Sequence, residues 1–297
     1  MTSGSPTLPR ELERDIFELC ALSRPVCIPK LMLVAQRVKE WVEPLLYRAI
    51  ILGYRYSTQI TGLPSFTDMS SVIRRLEPPV SFNSAVRHLI LFPLSDVEAM
   101  LALCTNVEFL WLFEIDAPLI PLVRALPLKR LTTDLYSFLP SPNILPHLTH
   151  LHLGGYPVEE DVRSICAFLM ALPQLTHLAF DDDFLVPVAR KMLELSRAIL
   201  VLAFFEPFLY SRVWDPEAAS GQPAWDVRFV LMPRRNMVED WYAGVQRGTD
   251  YWSDAETFVA AKRRLPELDA LHYVWKHANP EHPAHKRDCQ WPRGNVY

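Results

Sequence analysis

A six-residue hydrophobic frame, apolar-x-x-apolar-x-apolar, recurs along the middle of the chain. Its two clearest copies lie in HLTHLHLGG, beginning at His147, and QLTHLAFDD, beginning at Gln174. Because side chains alternate along a strand with period two, each copy predicts a short β-strand with one apolar face. The central apolar residues of the six copies are Leu89, Leu110, Leu131, Leu151, Leu178 and Leu202.

The stretches between these copies have the apolar periodicity of helices. In EEDVRSICAFLMAL, for example, Val162, Ile165 and Leu169 recur on one helical face. The central leucines lie 20 to 27 residues apart, which resembles the spacing of leucine-rich repeats, about 20 to 29 residues. The resemblance implies an α/β fold, a leucine-rich-repeat solenoid of stacked parallel strands plus helices. An ordinary α/β sheet with coincidental leucines is the alternative.

The amino-terminal segment, residues 1–48, is predicted to form a small all-helical unit. It contains LPREL at 8–12, IF at 16–17, LMLVA at 31–35, Trp41 and PLLY at 44–47. In order and length these motifs resemble an F-box. Together with divergent leucine repeats, they are similar to the F-box-like proteins of basidiomycete fungi.

The F-box resemblance implies that the helices dock on the Skp-type adaptor of a Skp–cullin–F-box ubiquitin ligase. The alternative is that the same side chains pack against the repeats as an amino-terminal cap, which a solenoid needs. The contact residues that the resemblance implies are Leu8, Pro9, Leu12, Ile16, Phe17 and Leu33.

The side chains between the inward leucines are predicted to form a concave face that recognises a protein partner. Exposed Trp, Phe and Arg are typical of binding hot spots. The alternative is that a later segment covers these aromatic residues as core. The predicted partner-binding residues are Phe92, Phe109, Trp111, Phe113, Arg130, Asp134, His150, His152, His177 and Asp181.

Four segments follow from these patterns. The helical F-box-like segment covers 1–48, the divergent repeats cover 49–232, a helical cap covers 233–275, and a loose tail covers 276–297. The cap contains two predicted helices in an aromatic-rich stretch. Ser253 and Glu256 are placed as a capping box at the start of the second helix.

Composition narrows the classes of function. A net charge of -4 argues against a generalised grip on nucleic acid, whose affinity needs clustered cations. The first residues have no apolar run typical of a signal peptide, and no apolar run is long enough for a membrane span. Five scattered cysteines suit a reducing compartment. We therefore expect an intracellular protein, cytoplasmic or nuclear, that binds neither nucleic acid nor membrane.

Candidate chemistry is sparse. No phosphate loop, dinucleotide fingerprint or hydrolase motif is present, so we expect no catalytic residues and no cofactor. His150 and His177 share a register, but parallel side chains on a sheet diverge as readily as they converge on an ion about 2 Å away. His277, His282, His285 and Cys289 in the tail match no common zinc spacing. We expect no metal at either place.

These observations favour a substrate-recognition subunit of a Skp–cullin–F-box ligase, whose repeats bind an unknown protein substrate. A repeat-based interaction scaffold outside any ligase, with the helical segment acting only as a cap, is the alternative. An α/β enzyme without recognisable motifs is a distant third.

Overall fold

A computed structural model describes the chain at residues 8–53, 65–66, 82–92, 97–134, 145–155, 162–181, 185–205, 226–233 and 235–264. Within these ranges the protein is an α/β fold with strands in one sheet. The strands are β1 (Ala49–Leu52), β2 (Ser65–Phe66), β3 (His88–Leu91), β4 (Phe109–Leu112), β5 (Arg130–Asp134), β6 (His150–Gly154), β7 (His177–Phe180), β8 (Val201–Phe205) and β9 (Phe229–Met232). The tail at 276–297 and the end of the predicted cap, 265–275, lie outside the described residues.

Helices precede, separate and follow the strands, and a short 3-10 turn, Pro25–Cys27, joins the first two. None of the described helices is long and apolar enough to cross a lipid bilayer. The helices are α1 (Arg10–Ser23), α2 (Ile28–Leu31), α3 (Gln36–Leu46), α4 (Phe82–Ala85), α5 (Val97–Leu103), α6 (Ile120–Ala125), α7 (Val162–Met170), α8 (Val186–Leu195), α9 (Met237–Arg247) and α10 (Tyr251–Arg264).

All described strands are parallel and form a nine-stranded sheet in the order β2-β1-β3-β4-β5-β6-β7-β8-β9. From β3 onward, strands that follow each other in the chain are neighbours in the sheet. The six strands predicted from the hydrophobic frame are confirmed. Their register is also the predicted one, with Leu89 opposite Leu110, Leu110 opposite Leu131, and so on to Leu202.

One face of this sheet packs against the helices between the strands. The central leucines are almost completely buried, and they share one hydrophobic core with residues of α5 to α8, such as Met100, Val123, Leu169 and Met192. Burying one such aliphatic side chain stabilises the folded state by about 1.5–3 kcal/mol. The repeated register therefore builds the main core one strand and one helix at a time.

The opposite face of the sheet is covered by the two carboxyl-terminal helices. Tyr251, Trp252 and Phe258 of α10 pack on β7, β8 and β9, and Trp241 and Tyr242 of α9 pack on β1, β3 and β4. The sheet is consequently buried on both faces, as parallel sheets usually are. The aromatic-rich end of the chain supplies this second layer.

Local capping sets where α9 and α10 begin. The Asn236 side chain accepts hydrogen bonds from the backbone N–H groups of Val238 and Glu239 at 3.2 and 3.3 Å. Asp250 caps α10, since its carboxylate accepts from Ser253 N and the Ser253 hydroxyl accepts from Asp250 N, both at 3.0 Å. The predicted Ser253–Glu256 capping box is therefore wrong: the helix begins earlier, and Ser253 is the second member of the box.

The amino-terminal helices form a unit with a small core of its own. Helix α1 packs against α3, and the unit contacts the rest of the protein through α9. Leu22 and Leu45, beside this core, lie next to Tyr242 and Val245 of α9. The buried members of the small core are Ala21, Ile28, Val38, Trp41 and Val42.

The leucine core predicts a large difference between two leucines. Leu151→Ala, in the fully buried centre of β6, is expected to lower the free energy of unfolding by about 2–5 kcal/mol, because it removes apolar contacts and leaves a cavity. Leu200→Ala, whose side chain is 46% exposed, should change it by less than about 0.5 kcal/mol. Urea unfolding curves measure both. Similar losses for the two variants would contradict the described core.

Candidate functional site

The predicted recognition face exists in the predicted register, but most of it is covered. His88, Phe109, Arg130, His150 and His177 stand opposite one another on successive strands, as expected. Helices α9 and α10 lie across this row. For Phe109 this confirms the alternative that a later segment covers the aromatic residues as core. The sequence did not show which helices cover the sheet, although the aromatic pairs at 241–242 and 251–252 indicated a large apolar layer that must be buried.

The covered residues correct part of the predicted site. Phe109, His152 and His177 are buried, and His150 is half-buried with its Nε2 atom inaccessible. The ring of Phe109 lies 5.8 Å from that of Trp241. The prediction that these four side chains face an external partner is therefore wrong, because α9 and α10 occupy the place that the partner would take.

Arg130 is the link between the sheet and α10. Its Nη1 donates to Oδ2 of Asp250 at 2.6 Å, and Asp250 is the residue that caps α10. Gly244 of α9 leaves room for the Asp250 side chain, since a Cβ at position 244 would lie 2.8 Å from the Cβ of Asp250. Arg130 is thus engaged inside the protein, with 39% of its side chain exposed at the edge.

A second charged group fastens α9 to α10. Nη1 of Arg235 donates to Asp240 at 2.7 Å and to Asp254 at 2.9 Å. The other carboxylate oxygen of Asp240 accepts the backbone N–H of Tyr251 at 2.9 Å. Because Arg235 and Asp240 are buried, removing either partner would leave an uncompensated charge, which is costly. The two helices therefore form a fixed layer on the sheet.

The histidines lie under α10 as a stack. The rings of His150 and His177 are 4.1 Å apart and nearly parallel, with an interplanar angle of 9°. Trp252 meets both rings edge-on. Nδ1 of His152 is 3.1 Å from the hydroxyl of Tyr251. Burial is the main cause that lowers the pKa of His150 to about 2 and that of His177 to about 4, so both rings are neutral at physiological pH.

Three aromatic residues at the carboxyl ends of β3 and β4 remain partly open. The rings of Phe92, Trp111 and Phe113 lie between 5.3 and 6.2 Å from one another. All three side chains have intermediate exposure. This aromatic cluster (Phe92, Trp111 and Phe113) is the open part of the predicted apolar surface.

Two predicted acids meet beside the aromatic cluster's end of the sheet. A Cβ on Gly154 would lie 2.7 Å from Oδ1 of Asp134 and 3.0 Å from Oδ1 of Asp181, so both carboxylates lean over this glycine. Burial, and then the charges of Asp181 and Glu114, raise the pKa of Asp134 to about 6. Nε2 of His152 lies 3.8 Å from Asp181. The carboxyl ends of the strands thus carry concentrated negative charge.

A cavity of about 230 Å³ separates the amino ends of the strands from α9. His88 and Trp241 both line this cavity. Nε2 of His88 and Nε1 of Trp241 are inaccessible to solvent and have no hydrogen-bond partner. The carboxylates of its lining are engaged, Glu108 with Lys129 and Asp250 with Arg130. Among the described residues that line this cavity there is no Ser, Thr or Cys.

The amino-terminal unit presents the most exposed apolar side chains. Leu12 is 51% and Ile16 is 56% exposed on α1, and Leu33 in the turn before α3 is 85% exposed. Leu8 and Pro9 are exposed and Phe17 is half-buried, so all six predicted adaptor contacts lie at the surface at least in part. The ion pair from Arg37 to Glu13, 2.7 Å, joins the first turn of α3 to the first turn of α1. The turn that carries Leu33 is thereby held near the start of α1.

The raised pKa of Asp134 predicts a pH-dependent substitution effect. A carboxyl group with a higher pKa in the folded than in the unfolded state costs stability when it ionises, so the cost is absent below about pH 4 and complete above about pH 6. Asp134→Asn should therefore raise the free energy of unfolding by about 1 kcal/mol at pH 8, after allowance for partial exposure, and by little at pH 4.5. Urea unfolding at both pH values measures this. An equal effect at the two pH values would exclude the charge as its cause.

Comparison with known proteins adds no assignment. The chain matches no family model, and no curated protein matches it significantly in sequence. The function therefore has to be argued from two features of the described residues: an exposed apolar surface on the amino-terminal helices, and a sheet whose recognition face is open only at the carboxyl ends of its strands.

Proposed function

We propose that the protein is a substrate-recognition subunit of a Skp–cullin–F-box ubiquitin ligase, without catalytic activity of its own. The observation that carries the proposal is the exposed apolar surface of the amino-terminal unit. Its members are exposed large apolar side chains just before α1, on α1 and in the turn before α3, namely Leu8, Leu12, Ile16, Leu19, Leu33 and Val34. We call this set the docking stripe.

The docking stripe is an apolar surface without an internal role. Leu12, Ile16 and Leu19 are spaced four and three residues apart, so they lie along one side of α1, and Leu8 lies two residues before the helix begins. The opposite side of α1 supplies Ala21 to the small core of the unit. Contiguous exposed apolar patches on a soluble fold mark interaction sites. Four of its members, Leu8, Leu12, Ile16 and Leu33, are positions that the F-box resemblance assigns to the adaptor, whereas Phe17 packs against the small core.

The same unit also contacts the remainder of the protein, and this supports a second role as a cap. Helix α1 packs against α9, and Leu22 and Leu45 line one small cavity together with Tyr242 and Val245 of α9. These residues differ from the docking stripe, so one unit is able to cap the protein with one side and bind an adaptor with the other. The scaffold alternative needs only the first of these contacts, and it leaves the exposure of Leu12 and Ile16 without a purpose.

The repeat part of the proposal is a leucine-rich-repeat solenoid that binds a protein substrate. Parallel strands in chain order, spaced 20 to 27 residues apart, support this fold. We assign substrate contact to the open end of the recognition face, where the aromatic cluster lies near Asp134 and Asp181. Aromatic anchors bordered by negative charge suit a segment with apolar and basic side chains.

The proposed mechanism is positional. An adaptor bound to the docking stripe connects the chain to the cullin ligase, and a substrate bound at the strand ends is held close to the transferring enzyme. Its lysines then react at a high effective concentration, without any chemical group from this chain. The complex operates inside the cell, in the cytoplasm or nucleus.

The proposal is tested by co-purification with a Skp-type adaptor. Leu12→Asp combined with Ile16→Asp should reduce adaptor affinity at least about 100-fold, because two anchor side chains are lost and two charges would have to be desolvated in the interface. The measurement is a pull-down followed by titration calorimetry with the purified adaptor.

A matched control separates docking from general surface damage. Leu195 and Leu200 are 49% and 46% exposed and lie near the carboxyl end of α8, so Leu195→Asp combined with Leu200→Asp makes the same change at similar exposure. The control should bind the adaptor as the unmodified chain does. Adaptor binding that survives the Leu12/Ile16 double substitution, or a chain that binds no Skp-type adaptor, would refute the proposal.

A further inference from the structure

A possible metal-ligand set lies between the sheet and α10. A ring nitrogen of His150, a ring nitrogen of His177 and a carboxylate oxygen of Glu256 all lie within 4.8 Å of one another. The two histidines come from neighbouring strands, β6 and β7, and Glu256 comes from α10. The sequence argument set these histidines aside because two parallel side chains on one sheet do not converge. The third ligand comes from a helix whose position on the sheet the sequence did not predict.

Hydrogen bonds determine which nitrogen of His150 carries the proton. Its Nδ1 lies 2.8 Å from the hydroxyl of Thr149, and that hydroxyl donates its proton to the carbonyl of Lys129 at 3.0 Å. A hydroxyl has one proton, so it must accept from Nδ1–H of His150. The neutral ring then has its lone pair on Nε2. This atom is inaccessible to solvent and has no hydrogen-bond partner.

His177 repeats the arrangement one strand further on. Its Nδ1 lies 2.8 Å from the hydroxyl of Thr176, which donates to the carbonyl of Thr149 at 3.3 Å. Nε2 of His177 therefore also has a lone pair, and it lies 3.1 Å from Oε1 of Glu256. Two acceptors at this distance repel each other unless a proton or a metal ion lies between them. A hydroxyl that fixes the tautomer of a histidine is the usual outer-shell support of a metal ligand.

We propose that His150, His177 and Glu256 bind a zinc ion that ties α10 to β6 and β7. Two imidazole nitrogens with one carboxylate favour zinc over magnesium or calcium, which prefer oxygen ligands alone. Half of the Glu256 side chain is exposed, so a fourth, water-occupied position would face solvent there. The site is separate from the docking stripe, and this proposal does not depend on the proposed function.

The ligand atoms are close together, but the two rings must turn to bind one ion, because nearly parallel rings 4.1 Å apart direct their ring-nitrogen lone pairs alongside each other. In tetrahedral coordination at about 2.1 Å, ligand atoms lie about 3.4 Å apart, so these atoms must draw together by no more than about 1.4 Å. Glu256 is an exposed side chain and moves at little cost. Arg130, whose positive charge acts on both histidine rings, forms an ion pair with Asp250. Neutral imidazoles are the form that binds a metal.

The test is zinc titration by calorimetry of the full-length chain, purified without a polyhistidine tag and stripped with a chelator. The tail contains other potential ligands, so the measurements use a background with His277→Asn, His282→Asn, His285→Asn and Cys289→Ser. We expect about one equivalent of zinc to bind to this background chain. Its Tm should rise with the concentration of zinc, since the ion binds the folded state.

Two substitutions then locate the ion. Thr149→Val removes only the support of the His150 tautomer and should weaken zinc about 10- to 100-fold. Glu256→Gln removes a ligand from an exposed position and should weaken zinc at least as much. Glu194→Gln on α8, where the side chain is 54% exposed, should leave zinc affinity unchanged. The proposal is overturned if the background chain binds no zinc tighter than about 100 µM, or if Glu256→Gln and Glu194→Gln bind zinc equally well.

Discussion

The structure depends on the burial of one leucine per strand in a constant register. Leu89, Leu110, Leu131, Leu151, Leu178 and Leu202 lie side by side across six parallel strands, and they share one core with residues of α5 to α8. No single strand and helix could exclude water from such a leucine, so each unit is stable only beside its neighbours. Strand order, helix placement and the alternation of side chains between the two faces all follow from this ladder.

The same alternation creates a second surface that cannot remain wholly exposed. If the leucines point to one face, then His88, Phe109, His150 and His177 must point to the other, and so must Ile90 and Ala179. Helices α9 and α10 cover this surface with five aromatic side chains and are held by Arg130–Asp250 and Arg235–Asp240. The charged groups on this surface hold the covering helices in place. Among the described residues, the ends of the strands are the part of this surface that remains for recognition.

The features of the fold that could be predicted from the sequence are those that depend on local periodicity. The six strands, their register and the helices between them follow from spacing within about 30 residues, and the exposed residues of α1 follow from a short motif. The placement of α9 and α10 on the sheet could not be predicted, because Trp241 and Phe109 are 132 residues apart and no local pattern links them. For the same reason Glu256 could not be assigned to the histidines, and Asp250 could not be identified as the partner of Arg130.

The side chains available to bind a partner are therefore those apolar side chains that remain exposed after both faces of the sheet are buried. A scaffold with an open concave face would use the centre of its sheet, but here that centre is occupied by Trp252 and Tyr251. Among the described residues, two apolar surfaces that remain are the docking stripe, whose residues belong to none of the described cores, and the aromatic cluster at the carboxyl ends of β3 and β4. They lie on separate elements, so a partner bound at one does not displace a partner bound at the other. This separation is what a receptor that must hold an adaptor and a substrate at the same time requires, because two partners that competed for one surface could not be brought together.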